Sequence, residues 1–125
     1  MAARSGWGML GLVLLLGGCG RGDVERTAIA MTGGDPERAP QLIRKHGCQV
    51  CHTIPGVQGA RGKIGPSLAA IASRSYLAGN VPNTAENMIK WIADPQAIAP
   101  GTAMPDVGVS DQEARDIAAY LYTLR

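Results

Sequence analysis

Five consecutive residues, Cys48-Gln49-Val50-Cys51-His52, constrain this chain more than its length or its hydrophobicity does. They hold two of the three cysteines and one of the two histidines in 125 residues. With such a composition the pattern C-x-x-C-H arises by chance in roughly one chain per thousand. On a helical turn, residues three apart share a face, so the two thiols stand side by side and the imidazole follows at once. The array can ligate a metal, run a dithiol redox couple, or bond a flat cofactor at two points. A zinc site needs four donors, and only His46 and the distant Cys19 remain to complete it. A thioredoxin-like pair needs a strand–helix–strand setting, for which the flanking sequence gives no pattern.

The third chemistry fits. Each thiol bonds one vinyl group of a single porphyrin, and the adjacent histidine presents a ring nitrogen to the iron. One covalent haem c is therefore the expected cofactor, held by Cys48 and Cys51, with His52 as an axial ligand. The aromatic count agrees. Two Trp, three Tyr and no Phe leave few rings for a core, and a domain of about 90 residues is marginal on its own apolar burial. A buried porphyrin supplies the missing apolar body. Twelve basic against ten acidic residues are too balanced for a dedicated nucleic-acid binder.

Export is written into the N-terminus. Arg4 precedes an apolar or glycine run from Gly6 to Gly20, which is shorter than the roughly 18 residues a spanning helix needs. Residues 1–18 are expected to be a signal peptide. Leu16-Gly17-Gly18-Cys19 resembles the lipobox of bacterial lipoproteins, with Cys19 as the lipidated N-terminal residue after cleavage. The alternative is ordinary cleavage nearby, which leaves Cys19 a free thiol. Residues 19–34 carry Gly, Thr, Asp, Glu and Arg without usable periodicity and are expected to be a flexible tether reaching at most about 50 Å. The folded domain is placed at residues 35–125.

Within that domain the pattern is helical. Asp35-Pro36-Glu37 has the makings of a helix start, but Pro40 would then lie inside the helix and remove a donor. The helix begins either there or at Pro40, and runs to about His46. Residues 54–63, with Pro55, Gly56, Gly59 and Gly62, form a loop. Ser67 to Ser75 is a short helical candidate. Thr84 to Ala93 is a better one, with Met88, Ile89 and Ile92 at helical spacing before Asp94-Pro95. Pro100, Gly101 and Pro105 exclude regular structure from Ala99 to Gly108. Ser110-Asp111-Gln112-Glu113 is a capping box, opening a helix striped with Ile117, Tyr120, Leu121 and Leu124. No segment reads as a strand. The expected fold is all-α, three to five short helices and long loops around one haem.

The chain then resembles the class I cytochromes c over residues 35–125 and is similar to the cytochrome c domain fused to subunit II of bacterial haem–copper oxidases. Gly65-Pro66-Ser67-Leu68, Pro100 to Pro105 and Asp116 to Leu121 carry the likeness together with the C-x-x-C-H motif. The resemblance implies that the Pro66 carbonyl accepts the His52 ring N–H, fixing its tautomer. It places Arg74 as a propionate partner, Tyr76 and Asn80 as hydrogen-bonding groups near it, and Trp91 as a ring along the haem. It also puts a small residue where the first helix of the domain crosses the last, here Ala39 or Pro40.

Elimination yields the second axial ligand. Met1 and Met9 leave with the leader, and Met31 lies in the tether. His46, six residues before His52 in the same turn region, cannot reach the opposite haem face. Met88 belongs to an apolar stripe and forms haem wall. Met104 stands in an irregular loop, where a soft thioether needs a reason, and is the expected ligand. A His/Met pair raises the iron's potential. The implied protein is a single-electron carrier of a respiratory chain, not an enzyme, monomeric and exported. Lipid on Cys19 would anchor it on the periplasmic side, at the outer face of the cytoplasmic membrane or the inner leaflet of an outer membrane. The rivals are a haem peroxidase or gas sensor with a labile sixth ligand, or a cytochrome subunit fixed in a larger redox complex. Between Glu37 and Glu86 the only charged residues are basic (Arg38, Arg44, Lys45, Arg61, Lys63 and Arg74). That half is expected to dock on an acidic site of a terminal oxidase or a reductase.

Overall fold

A computed structural model describes residues 20–125. The leader expected at residues 1–18 and the lipidation expected at Cys19 lie outside the described residues.

The first element departs from expectation. Helix α1, Arg21–Thr32, occupies most of the stretch read as a flexible tether. It carries no apolar stripe, which is why periodicity misses it. Two small side chains, Ala28 and Thr32, each 1% exposed, seat it closely instead, and it packs on the C-terminal helix. The tether is corrected to a docked helix over these residues. Beyond it, Gly34 passes so close to the C-terminal helix that a Cβ there would lie 2.1 Å from the Arg115 carbonyl oxygen.

Helix α2 spans Ala39–Lys45, with Pro40 in its first turn, where a missing N–H costs no helical bond. Helix α3 is the single turn Cys48–Cys51. The following loop is pinned by a bridge between Thr53 and Arg61. Only Ile71–Ser73 of the helix expected over Ser67–Ser75 forms, as a 3-10 turn, because Ala70 at φ 54° turns the chain left-handed before it. Two short strands, β1 Tyr76–Leu77 and β2 Val81–Pro82, pair antiparallel, Tyr76 opposite Pro82 and Leu77 opposite Val81. The sequence contained no signal for these two-residue strands.

Helix α4, Ala85–Ala93, is capped by Thr84, whose side chain accepts from Asn87 N–H, and buries Met88, Ile89 and Ile92. Asp94 closes it and caps α5, Pro95–Ile98. Helix α6, Asp111–Leu121, opens on the expected capping box of Ser110 and Glu113. The fold is thus mostly helical, with six α-helices among the described residues rather than three to five. The additional ones are α1 and α5.

Helix α6 is the hub, packed by α1, α2 and α4. Its Ala114, Ile117, Ala118 and Leu121 face Leu42 and Ile43 of α2 and the stripe of α4 in one apolar core. Ala39 is fully buried while Pro40 is only partly so; the small residue of the α2–α6 packing is therefore Ala39. Asp116, 0% exposed, latches the link between α1 and α2 onto α6. Its Oδ1 accepts from Asp35 N–H at 2.9 Å and from Gln112 Nε2 at 3.0 Å, and Arg38 pairs with its Oδ2 at 3.3 Å.

Candidate haem-binding site

The α2–α3 turn, α4, α6 and two loops enclose a cavity of about 550 Å³. Its walls are apolar, with Ile43, Leu68, Leu77, Met88, Ile92 and Leu121 among the lining residues. Cys48, Cys51 and His52 all line it. Burial pushes the Cys48 thiol above its ordinary pKa, the neighbouring Cys51 adds to this, and a backbone hydrogen bond opposes it. A nucleophilic dithiol needs the reverse shift. Among the described residues no three His, Cys, Asp or Glu side chains gather as a metal site, so the four donors of a zinc centre are not assembled.

His52 is oriented from behind. Its Nδ1 lies 2.7 Å from the Pro66 carbonyl oxygen, which only accepts, so Nδ1 carries the proton and Nε2 keeps its lone pair for a metal. Pro66 therefore makes the contact the resemblance implied. Gly65 lies against the imidazole face: a Cβ there would stand 2.5 Å from Cε1 and 2.8 Å from Nδ1. The same segment is laced to the cysteine turn through Gly65 N–H to Cys51 O at 2.7 Å and Gly62 N–H to His52 O at 3.2 Å. The sequence held this glycine in its Gly-Pro turn, but only the packed ring explains it.

Met104 lines the cavity as well, from a loop of turns between α5 and α6. Its N–H donates to Thr102 Oγ1 at 3.3 Å. Met88, buried, and Trp91, half-buried, join the wall from α4. Arg74 and Tyr76 stand exposed at the rim, Arg74 donating to the carbonyls of Ser67 and Ala69. Asn80 does not reach the cavity. The tight β1–β2 turn presents Ala78 and Gly79, while Asn80 closes the turn through its N–H to Leu77 O.

His46, set aside as a ligand, lines the cavity too. Its Nε2 lies 3.1 Å from Glu113 Oε2 and its Nδ1 3.4 Å from the Val107 carbonyl. Lys45 Nζ, 2.6 Å from Glu113 Oε1, shares that carboxylate. The Lys45 hydrogen bond, followed by that of Ser110 N–H, holds the Glu113 carboxyl at about 2. A flat, largely apolar group with two thioether attachments and an iron at its centre fits these walls and donors.

A family model described as Cytochrome c matches residues 36–125. Cytochrome c2 of Rhodopila globiformis is 36% identical over 105 residues, covering 74% of this chain and 95% of that protein. Cytochrome c oxidase subunit 2 of Alkalihalophilus pseudofirmus is 34% identical over 88 residues, 68% of this chain and 24% of the subunit. The subunit 2 of Bacillus subtilis is 29% identical over 93 residues, 71% of this chain and 26% of the subunit. The chain thus spans about a quarter of these oxidase subunits and nearly all of the cytochrome c2. No solved structure gives a significant match.

Proposed function

This chain belongs to the cytochrome c family, electron-transfer proteins with one covalently bound haem c, and we propose that it carries single electrons in a respiratory chain through a His52/Met104-ligated iron. The observation that carries this reading is the pair of donors on one apolar cavity: His52, proton fixed on Nδ1 by Pro66, and the Met104 thioether. When bound, the haem supplies a one-electron couple. The protein's part is to hold it and to change little as the electron comes and goes. Cys48 and Cys51 fix it covalently. Pro66 and Gly65 keep the His52 ring from turning, and the apolar walls keep water from the iron. A thioether at the sixth position raises the potential and closes that position to small ligands, which favours a carrier over a peroxidase or gas sensor.

The ligand test is direct. Met104→Ala should retain covalent haem, lose the weak sulfur-to-iron band of the ferric spectrum, lower the potential and admit exogenous ligands. An unchanged spectrum would make another residue, Met88 first, the ligand.

The same proposal covers place and partner. Residues 1–18 are a leader, Cys19 carries lipid, and the domain works on the periplasmic side of the membrane it is anchored to. No helix among the described residues is long and apolar enough to cross a membrane. The likeness to oxidase subunits supports an oxidase as acceptor. The docking charge is smaller than the sequence count, because Arg38 is paired with Asp116 and Lys45 with Glu113. Arg44, Arg61, Lys63 and Arg74 are exposed and make no ion pair among the described residues. Electron transfer to an acidic acceptor should slow with added salt as the Debye length falls from about 10 Å to about 3 Å. Arg61→Glu with Lys63→Glu should flatten that dependence. A rate indifferent to both would leave an apolar contact alone.

A further inference from the structure

The loop that carries Met104 has little regular support. A turn bond from Thr102 N–H to Ala99 O, 3.0 Å, and the Thr102 hydroxyl are its internal ties. One side chain from outside clips it. Gln96, the second residue of α5, uses both ends of its amide. Its Oε1 accepts from Gly101 N–H at 3.0 Å. Its Nε2 donates to Thr102 O at 3.0 Å and approaches Met104 O at 3.4 Å. Among the described residues no other side chain from outside the loop bonds the backbone of residues 101–104. The clip has a firm base, because Pro95 starts α5 and Asp94 Oδ1 caps it at Ala97 N–H, 3.1 Å.

We propose that Gln96 is a positioning residue for the axial ligand: its amide holds the backbone of Gly101 to Met104 so that the thioether stays in the cavity. This rests on the assignment of Met104 as the ligand. An amide suits the task because it offers one acceptor and two donor hydrogens in a fixed plane, matching one N–H and two carbonyls on the same strand of loop. Gln96 is solvent-exposed, so replacing it leaves the core intact and acts on the loop alone.

The experiment uses the ferric holoprotein and imidazole as the competing ligand, followed in the visible spectrum. Gln96→Ala should bind imidazole roughly ten-fold faster, the lower end of the effect expected when two or three hydrogen bonds are lost and the one taken for exposed ones, with an unchanged far-ultraviolet melting profile. Gln96→Glu keeps the shape and the acceptor but turns a carboxylate toward two carbonyls. At pH 7 it should behave like Gln96→Ala. Near pH 4, about the ordinary carboxyl pKa, the neutral acid donates again, and the rate referred to the small unprotonated fraction of imidazole should return toward the wild-type rate at the same pH. A wild-type imidazole rate in Gln96→Ala, or in Gln96→Glu at pH 7, overturns the proposal. The ligand assignment is tested apart from it: if Met104→Ala changes the spectrum and Gln96→Ala changes nothing, only the role of Gln96 falls.

Discussion

The segment from Gly47 to Pro66 and the segment from Ala99 to Val107 both line the cavity, but main-chain bonds predominate in the first and side-chain bonds in the second. In the first, a helical turn, a bridge between Thr53 and Arg61 and the crossed bonds of Gly62 and Gly65 interlock main chain with main chain. The His52 ring then fits between a carbonyl and a glycine. In the second, the contacts come from Gln96, Thr102 and the weak approach of His46 to Val107. A ligand set in interlocked backbone can move only if the domain opens. One set in a clipped loop can leave while the rest stays folded. With Met104 as the proposed ligand, the difference implies that exchange should begin on its side of the cavity.

The strongest way to break the comparison is to remove the cofactor from between the walls. Cys48→Ala/Cys51→Ala should lose most of the helical circular dichroism signal, since the total stability of a small domain is only about 5–15 kcal/mol and the apolar lining would face water. A native-like helical spectrum would mean that the backbone-held wall stands without haem.

How far the sequence foretells each region follows from the same contrast. The motif side was legible because its chemistry is contiguous: Cys48, Cys51 and His52 in five residues, Pro66 fourteen beyond the histidine. Met104 was singled out by elimination, and it lines the cavity. What escaped was everything held by small or polar residues. Helix α1 escaped because Ala28 and Thr32 make no apolar stripe, and the clip of Gln96 because a glutamine at a helix start reads as solvated surface. Apolar periodicity reports burial of bulk, so it is silent where close approach or a hydrogen bond seats an element.

Two glycine substitutions sharpen the comparison at intermediate size. Gly65→Ala drives a Cβ to within 2.5 Å of an imidazole that Pro66 prevents from retreating, and overpacking of this kind costs about 1–3 kcal/mol. It should also lower the yield of covalent holoprotein and disturb the ferric spectrum, because the strained group is the proposed iron ligand. Gly101→Ala meets nothing within 4 Å but must hold φ +82°, a left-handed conformation costing roughly 1–2 kcal/mol for an L-residue. Its stability loss should be similar, read as a shift in denaturant midpoint, but it should quicken imidazole binding without reducing haem attachment. Equal behaviour of the two variants would erase the distinction between the walls.

The smallest effect lies where the two regions meet. Glu113 accepts from Lys45 and His46, just before the cysteines, and His46 faces Val107, just after Met104. The Lys45 hydrogen bond first, then that of Ser110 N–H, depresses the Glu113 carboxyl to about 2 in the folded protein, against about 4.3 for a free glutamate. A depressed carboxyl contributes stability that is complete above the unfolded value and is lost as the pH falls through the folded one. Glu113→Gln isolates this charge, because glutamine at that position still completes the capping box with Ser110. The wild type should therefore exceed Glu113→Gln in denaturant midpoint by a constant margin near pH 6, and the margin should shrink between about pH 4.5 and pH 2. The Lys45 partner is 60% exposed, so the margin should be small and fall with added salt. A margin that stayed constant down to pH 2 would show that the two regions are joined by the cap and the packing of α6, with the Lys45 ion pair contributing nothing.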